Sequence, residues 1–155
     1  MNQPVILVVD DDYVARSITS SKLKSFADVD VAVDGLDAME RVSARNYDAL
    51  VVDLGMPMID GIDLVRILRS RSSTKNIPIV VVSASEDPAH FKGAMANGAT
   101  CTFAKPLRWT EFTQQLRHLL VRTEAVAELP KWAAPTNRPQ TKSVVKFGSK
   151  GIPTG

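Results

Sequence analysis

The sequence predicts a doubly wound α/β domain built on a parallel sheet, and two observations carry that expectation. Five short runs rich in Val and Ile recur with little polar alternation, as strands covered on both faces require. The stretches between them place apolar residues at a helical period, so strand and helix alternate five times.

The first strand is expected over Val5–Val9, followed by a helix whose Ala15, Ile18, Leu23 and Phe26 share one face. The residue entering that helix, Asp12, reads as its N-cap rather than as a metal ligand. The second strand, Val29–Val33, runs through Asp34-Gly35 into the next helix. After the third, Ala49–Val52, Asp60-Gly61 repeats this loop-to-helix signal ahead of Leu64, Val65 and Leu68. The fourth strand, Ile77–Val82, precedes a short helix that carries Phe91, Ala94 and Met95 and is closed by Asn97-Gly98. The fifth, Thr100–Ala104, precedes the longest apolar stripe: Trp109, Phe112, Leu116, Leu119 and Leu120.

Composition narrows the class. With 155 residues, 45% apolar and 23% charged, the chain matches a soluble globular domain with some surplus length. No apolar run approaches the roughly 20 residues that cross a bilayer. The first apolar run, Val5–Val9, lacks the basic flank and length of a signal peptide. Membrane insertion is therefore not expected, and the cytoplasm is the expected location. The single Cys101 rules out an intrachain disulfide and reads as a small buried apolar residue. Residues 1–122 hold 14 Lys and Arg against 15 Asp and Glu, whereas residues 123–155 hold 5 against 2. The basic excess lies in the tail, so the overall charge of +2 does not point to nucleic acid as a partner. One domain is expected over residues 1–124, and a basic, Pro-containing tail, expected to be disordered, over 125–155. Basic residues in such a tail usually mean solvation alone; the sharper reading is a tether or docking segment, to which Trp132 adds slight weight as an anchor for a partner.

In a doubly wound sheet the ligand site lies beyond the carboxyl ends of the strands. There the sequence sets Asp10-Asp11-Asp12, Asp53, Ser83 and Lys105-Pro106, at the ends of the first, third, fourth and fifth runs. Packed carboxylates repel one another and call for a cation. Hard oxygen donors without His or Cys suit Mg²⁺. A carboxylate can attack phosphorus and form an acyl phosphate, a reaction that needs positioning and charge neutralisation more than covalent help. Lys105 offers an orientable ammonium and Ser83 a hydroxyl able to donate to a phosphoryl oxygen. His90 and His118 have no second ligand nearby in sequence and read as surface or packing residues. Trp109 reads as core. Gly93 either loosens its helix or makes room for a neighbour.

Taken in order, Val8-Val9-Asp10-Asp11, Asp53-Leu54-Gly55-Met56-Pro57-Met58-Ile59-Asp60-Gly61, Pro78 to Ala84, Gly98-Ala99 and Lys105-Pro106 resemble a bacterial response-regulator receiver domain. The resemblance runs from about Val5 to Arg122. It implies a flavodoxin-like sheet of order 2-1-3-4-5 and a two-component phosphoacceptor, not an enzyme in the turnover sense. It implies Asp53 as the phosphorylated residue, with Mg²⁺ held directly by Asp11, through water by Asp10, and by Asp53 and the Gly55 carbonyl. Ser83 corresponds to the family's switch hydroxyl and Lys105 to its lysine, with a cis bond to Pro106. The implied donor is a phosphohistidine on a histidine kinase or a histidine phosphotransfer protein, and the implied output is contact with a downstream protein. No DNA-binding or enzymatic segment is recognised after residue 122, in keeping with that output.

Two positions depart from the family's pattern. Thr102 stands where an aromatic switch residue is frequent, with Phe103 next to it expected in the core. Gly55 offers no side chain beside the phosphoacceptor. Two other functions share the same residues: a degenerate receiver acting as an interaction scaffold, and a phosphatase with an Asp nucleophile. The scaffold class normally lacks an acidic or lysine position, and the phosphatase needs a cap for which this chain has little length.

Overall fold

The computed structural model describes residues 2–127. Its elements alternate as β1 (Val5–Val9), α1 (Tyr13–Leu23), β2 (Asp28–Ala32), α2 (Gly35–Ala44), β3 (Ala49–Asp53), α3 (Gly61–Arg69), β4 (Ile79–Ser83), α4 (Pro88–Ala96), β5 (Cys101–Ala104) and α5 (Trp109–Ala127). The strands form one parallel sheet of order β2-β1-β3-β4-β5, as the sequence predicted. Of the tail expected over 125–155, residues 125–127 are helical rather than disordered because α5 continues to Ala127; residues 128–155, with Trp132, lie outside the described residues. No described helix is long and apolar enough to cross a membrane.

The two-residue strand period divides the apolar residues between two cores. Leu7, Val9, Leu50, Val52, Ile79 and Val81 face α2, α3 and α4 through Ala38, Val42, Leu64, Leu68 and Ala94. Ile6, Val8, Val51, Val80 and Val82 face α1 and α5 through Leu23, Phe112, Leu116 and Leu120. The central strands β1, β3 and β4 are thus buried on both sides, and their side chains need no polar alternation.

The edge strands differ from the sequence expectation. β2 spans Asp28–Ala32 rather than Val29–Val33, and Val33 is 45% exposed. Residues in β2 and β5 are mostly only half-buried, because each edge has a single neighbouring strand. β4 begins at Ile79 rather than Ile77: the Ile77 N–H closes a turn onto Thr74, and its carbonyl accepts from Arg69. Two helix faces also differ. On α1 the buried residues are Thr19, Ser20 and Leu23, while Ile18 is 44% exposed. On α4 only Ala94 is buried; Phe91 is half-buried and Met95 exposed, since this helix packs near the β5 edge.

The expected caps are present. Asp12, Asp34 and Asp60 accept N–H bonds from Val14, Asp37 and Asp63. Asp87, which sequence reasoning passed over, does the same for Ala89 with Pro88 opening α4. Gly98 ends α4 at a φ of +111°, where a Cβ would sit 2.7 Å from the Arg69 side chain. The half-buried Arg69 guanidinium joins these loops by donating to the carbonyls of Gly98, Thr74 and Ile77. Trp109 is partly buried and packs edge-on to Phe112. Phe103 does likewise from β5, entering the core as expected.

Candidate functional site

Parallel strands deliver their carboxyl ends to one rim, and the polar residues that follow the apolar runs meet there. Asp10 follows β1, Asp53 and Ser83 end β3 and β4, and Lys105 follows β5. Asp10, Asp53 and Ser83 are buried, Lys105 is half-buried and Asp11 is exposed. Carboxylate oxygens of Asp10, Asp11 and Asp53 all lie within 4.8 Å of one another. Asp10 and Asp53 border a cavity of about 410 Å³ that is also lined by Asp12, Gly55, Asp60, Ser83, Ser85, His90 and Lys105.

Each group is held in place locally. Asp10 Oδ1 accepts the N–H of Asp12 at 2.9 Å, and its carbonyl accepts from the Arg16 guanidinium at 2.8 Å. Lys105 is anchored by its own N–H on the Ser83 carbonyl, and its bond to Pro106 is cis. Gly61 admits the loop after β3: a Cβ there would stand 2.6 Å from the Asp53 carbonyl oxygen. That loop also carries Met58 at a φ of +69°.

The electrostatics follow from three carboxylates and one ammonium. Lys105 Nζ lies 3.3 Å from Asp10 Oδ2 and 3.4 Å from Asp53 Oδ1. Burial, then the charge of Asp10, pushes the Asp53 carboxyl above the usual carboxylate range; Lys105 and the Gly55 N–H pull only partly against them. Burial lowers Lys105, but the two carboxylates outweigh it and the ammonium ends above its ordinary value. The site therefore carries excess negative charge in a partly buried setting. Its donor set consists of hard oxygens with an open side, which fits Mg²⁺.

All the residues singled out from sequence (Asp10, Asp11, Asp53, Gly55, Ser83 and Lys105) come to this rim. Sequence reasoning missed three others. Arg16 supports the Asp10 backbone from α1, while Ser85 and His90 line the cavity itself. His90 reads from sequence as a surface or packing residue, and it is exposed in the first turn of α4, where it also borders the cavity. The available signal was its place three residues after the Asp87-Pro88 helix start. Cys101 is half-buried on β5 and its thiol is raised by burial, as a packing residue would be. Gly93 lies where a Cβ would come within 3.1 Å of Ile62, which favours its close-packing reading.

The family model described as "Response regulator receiver domain" matches residues 6–117. The response regulator MprA of Mycobacterium ulcerans is 36% identical over 120 residues, covering 77% of this chain and 51% of that protein. The chain thus spans about half the length of the MprA relatives it matches. Among solved structures, the receiver domain of the Francisella response regulator 1452 superposes with a TM-score of 0.71 at 31% identity, covering 77% of this chain and 98% of that one. The receiver domain of the Pseudomonas aeruginosa sensor kinase PA1611, solved with magnesium coordinated in its active-site cleft, has a TM-score of 0.71 at 24% identity. It covers 78% of this chain and 99% of that one.

Proposed function

The chain belongs to the response-regulator receiver family, and on that premise we propose that Asp53 accepts a phosphoryl group from a phosphohistidine and that the protein signals by protein–protein contact. The observation that carries this reading is the placement of Lys105 between Asp10 and Asp53 on an open cavity.

A carboxylate oxygen of Asp53 attacks phosphorus, the P–N bond to the donor histidine breaks, and the imidazole leaves with a proton taken from solvent. Asp53 must be ionised to attack. Lys105 favours that form and then meets the charge of the phosphoryl oxygens. Asp10, Asp11 and Asp53, with the Gly55 carbonyl, would hold Mg²⁺, in keeping with their hard-oxygen chemistry and with the ion in the PA1611 receiver. When bound, that ion supplies further neutralisation of phosphoryl charge. Ser83 would donate to a phosphoryl oxygen and so register occupancy. With Thr102 in place of an aromatic switch residue, output would rest on the loop after Ser83 and on α4, whose single buried residue leaves it lightly held. A histidine kinase or histidine phosphotransfer protein is the proposed donor and a downstream protein the proposed target.

The test is incubation of the purified chain with acetyl phosphate and Mg²⁺ beside Asp53→Ala, read by intact mass. An adduct that needs Mg²⁺ and disappears in the variant supports the reading. No adduct on a wild-type chain that still binds Mg²⁺ would turn it into a scaffold, and turnover of a small phosphoester would turn it into a phosphatase.

A further inference from the structure

Ser83 opens a chain of hydrogen bonds that leads to α4. Its Oγ accepts the N–H of Ser85 at 3.0 Å, and the Ser85 Oγ accepts the N–H of Asp87 at 3.2 Å. His90 Nδ1 lies 2.5 Å from that same Ser85 Oγ. This contact is exposed, and Nδ1 is the side-chain acceptor within reach of the Ser85 hydroxyl proton among the described residues. The tautomer that uses both roles of the Ser85 hydroxyl has Oγ accepting the Asp87 N–H and the O–H donating to Nδ1. The ring proton of a neutral imidazole then resides on Nε2, which makes the second nitrogen a donor.

His90 borders the cavity that Asp53 also lines, with its side chain otherwise exposed. The charged groups there are Asp10, Asp12, Asp53 and Asp60 on one side and Lys105 on the other, with Asp87 at the head of α4. An anionic ligand in this place has three peripheral oxygens to satisfy. Donors are scarcer than carboxylates, and the first turn of a helix favours negative charge.

We infer that His90 is a phosphoryl-binding residue: its Nε2–H donates to an oxygen of the phosphoryl group on Asp53, while Ser85 fixes the orientation of the ring. The inference rests on the phosphoacceptor reading above. Because His90 belongs to α4, the contact joins the occupied site to that helix without an aromatic switch residue.

The experiment uses the full chain with Mg²⁺ and beryllofluoride as the phosphoryl analogue. ¹H–¹⁵N NMR follows both the backbone amides beside Asp53 and the imidazole nitrogens. In the wild type, saturation is expected to shift both sets. His90→Ala should bind beryllofluoride roughly tenfold more weakly, the weight of one hydrogen bond to a charged group. Ser85→Ala should fall between them, and His90→Gln should recover part of the loss. Thermal unfolding of the free variants should match the wild type. Equal affinity in His90→Ala, or weakened binding with an unmoved Nε2 signal in the wild type, would overturn the inference while leaving Asp53 as phosphoacceptor. A wild-type chain that binds no beryllofluoride would remove the phosphoacceptor reading and this inference together.

Discussion

The ammonium of Lys105 stands 3.4 Å from Oδ1 of Asp53, and among the described residues it is the only cation paired with that carboxylate. Lys105 also serves Asp10, so one positive charge is divided between two buried negative ones. The balance is unfavourable to ionised Asp53, whose carboxyl is raised by burial and by Asp10.

Asp53→Asn should therefore stabilise the metal-free chain at neutral pH. The sign follows from linkage: a carboxyl raised in the folded state costs stability once pH exceeds that raised value, and costs nothing below its ordinary value of 3.8. The advantage of the variant should shrink as pH falls through that window. A gain of about 1 kcal/mol would raise Tm by about 3–6 °C in a domain of this size. Adding Mg²⁺ should reverse the order, because the wild type gains stability from the ion it binds. Differential scanning calorimetry with and without Mg²⁺ reads both effects.

Gly55→Asn should slow loss of phosphate from Asp53 several-fold. A Cβ at Gly55 would meet only Asp53 Oδ2, at 3.9 Å, so a side chain fits without strain and stands beside the acyl phosphate. Water would then reach phosphorus less freely. Phosphate release after removal of acetyl phosphate gives the rate; an unchanged lifetime would show that access on this side is not limiting.

Tyr47→Phe should cost about 1.5–3 kcal/mol, the weight of a hydrogen bond to a charged group. The Tyr47 hydroxyl donates to Asp30 Oδ2 at 2.7 Å from a buried position. Burial raises Asp30, but Tyr47 and Arg45 outweigh it and hold the carboxyl below its usual value. Burial and Asp30 push Tyr47 up to about 12. The Asp30 contribution is present above its ordinary value and is lost as pH falls through the depressed one. The Tyr47 contribution is present below pH 10 and is lost as pH rises toward 12. Urea titrations should find the gap between wild type and variant widest at neutral pH and narrower at both extremes.

Met58→Asn should stabilise the chain by about 0.5–1 kcal/mol. Met58 adopts a φ of +69° with its side chain 74% exposed, so it bears the left-handed penalty and contributes little burial. Asn tolerates this conformation through local hydrogen bonding, and without the added unfolded-state freedom of Gly. A Tm no higher than that of the wild type would show the loop is not strained at this position.

The alternation of Val- and Ile-rich runs with helical stripes determined the element order and the parallel sheet, because both periods are local properties of the chain. Polar residues just past those runs were legible as a site for a related reason: in a parallel sheet every strand ends on the same rim. Asp10, Asp53, Ser83 and Lys105 could thus be grouped without coordinates. Tertiary structure alone decided which face of α1 is covered, leaving Ile18 at the surface and burying Thr19 and Ser20. It also decided that β2 and β5 are half-buried edges, that one ammonium serves both Asp10 and Asp53, and that Ser85 and His90 border the same cavity. A side-chain period records that a face is apolar. Which neighbour covers that face, and which distant residues share one cavity, depends on how the crossover helices dock on the sheet.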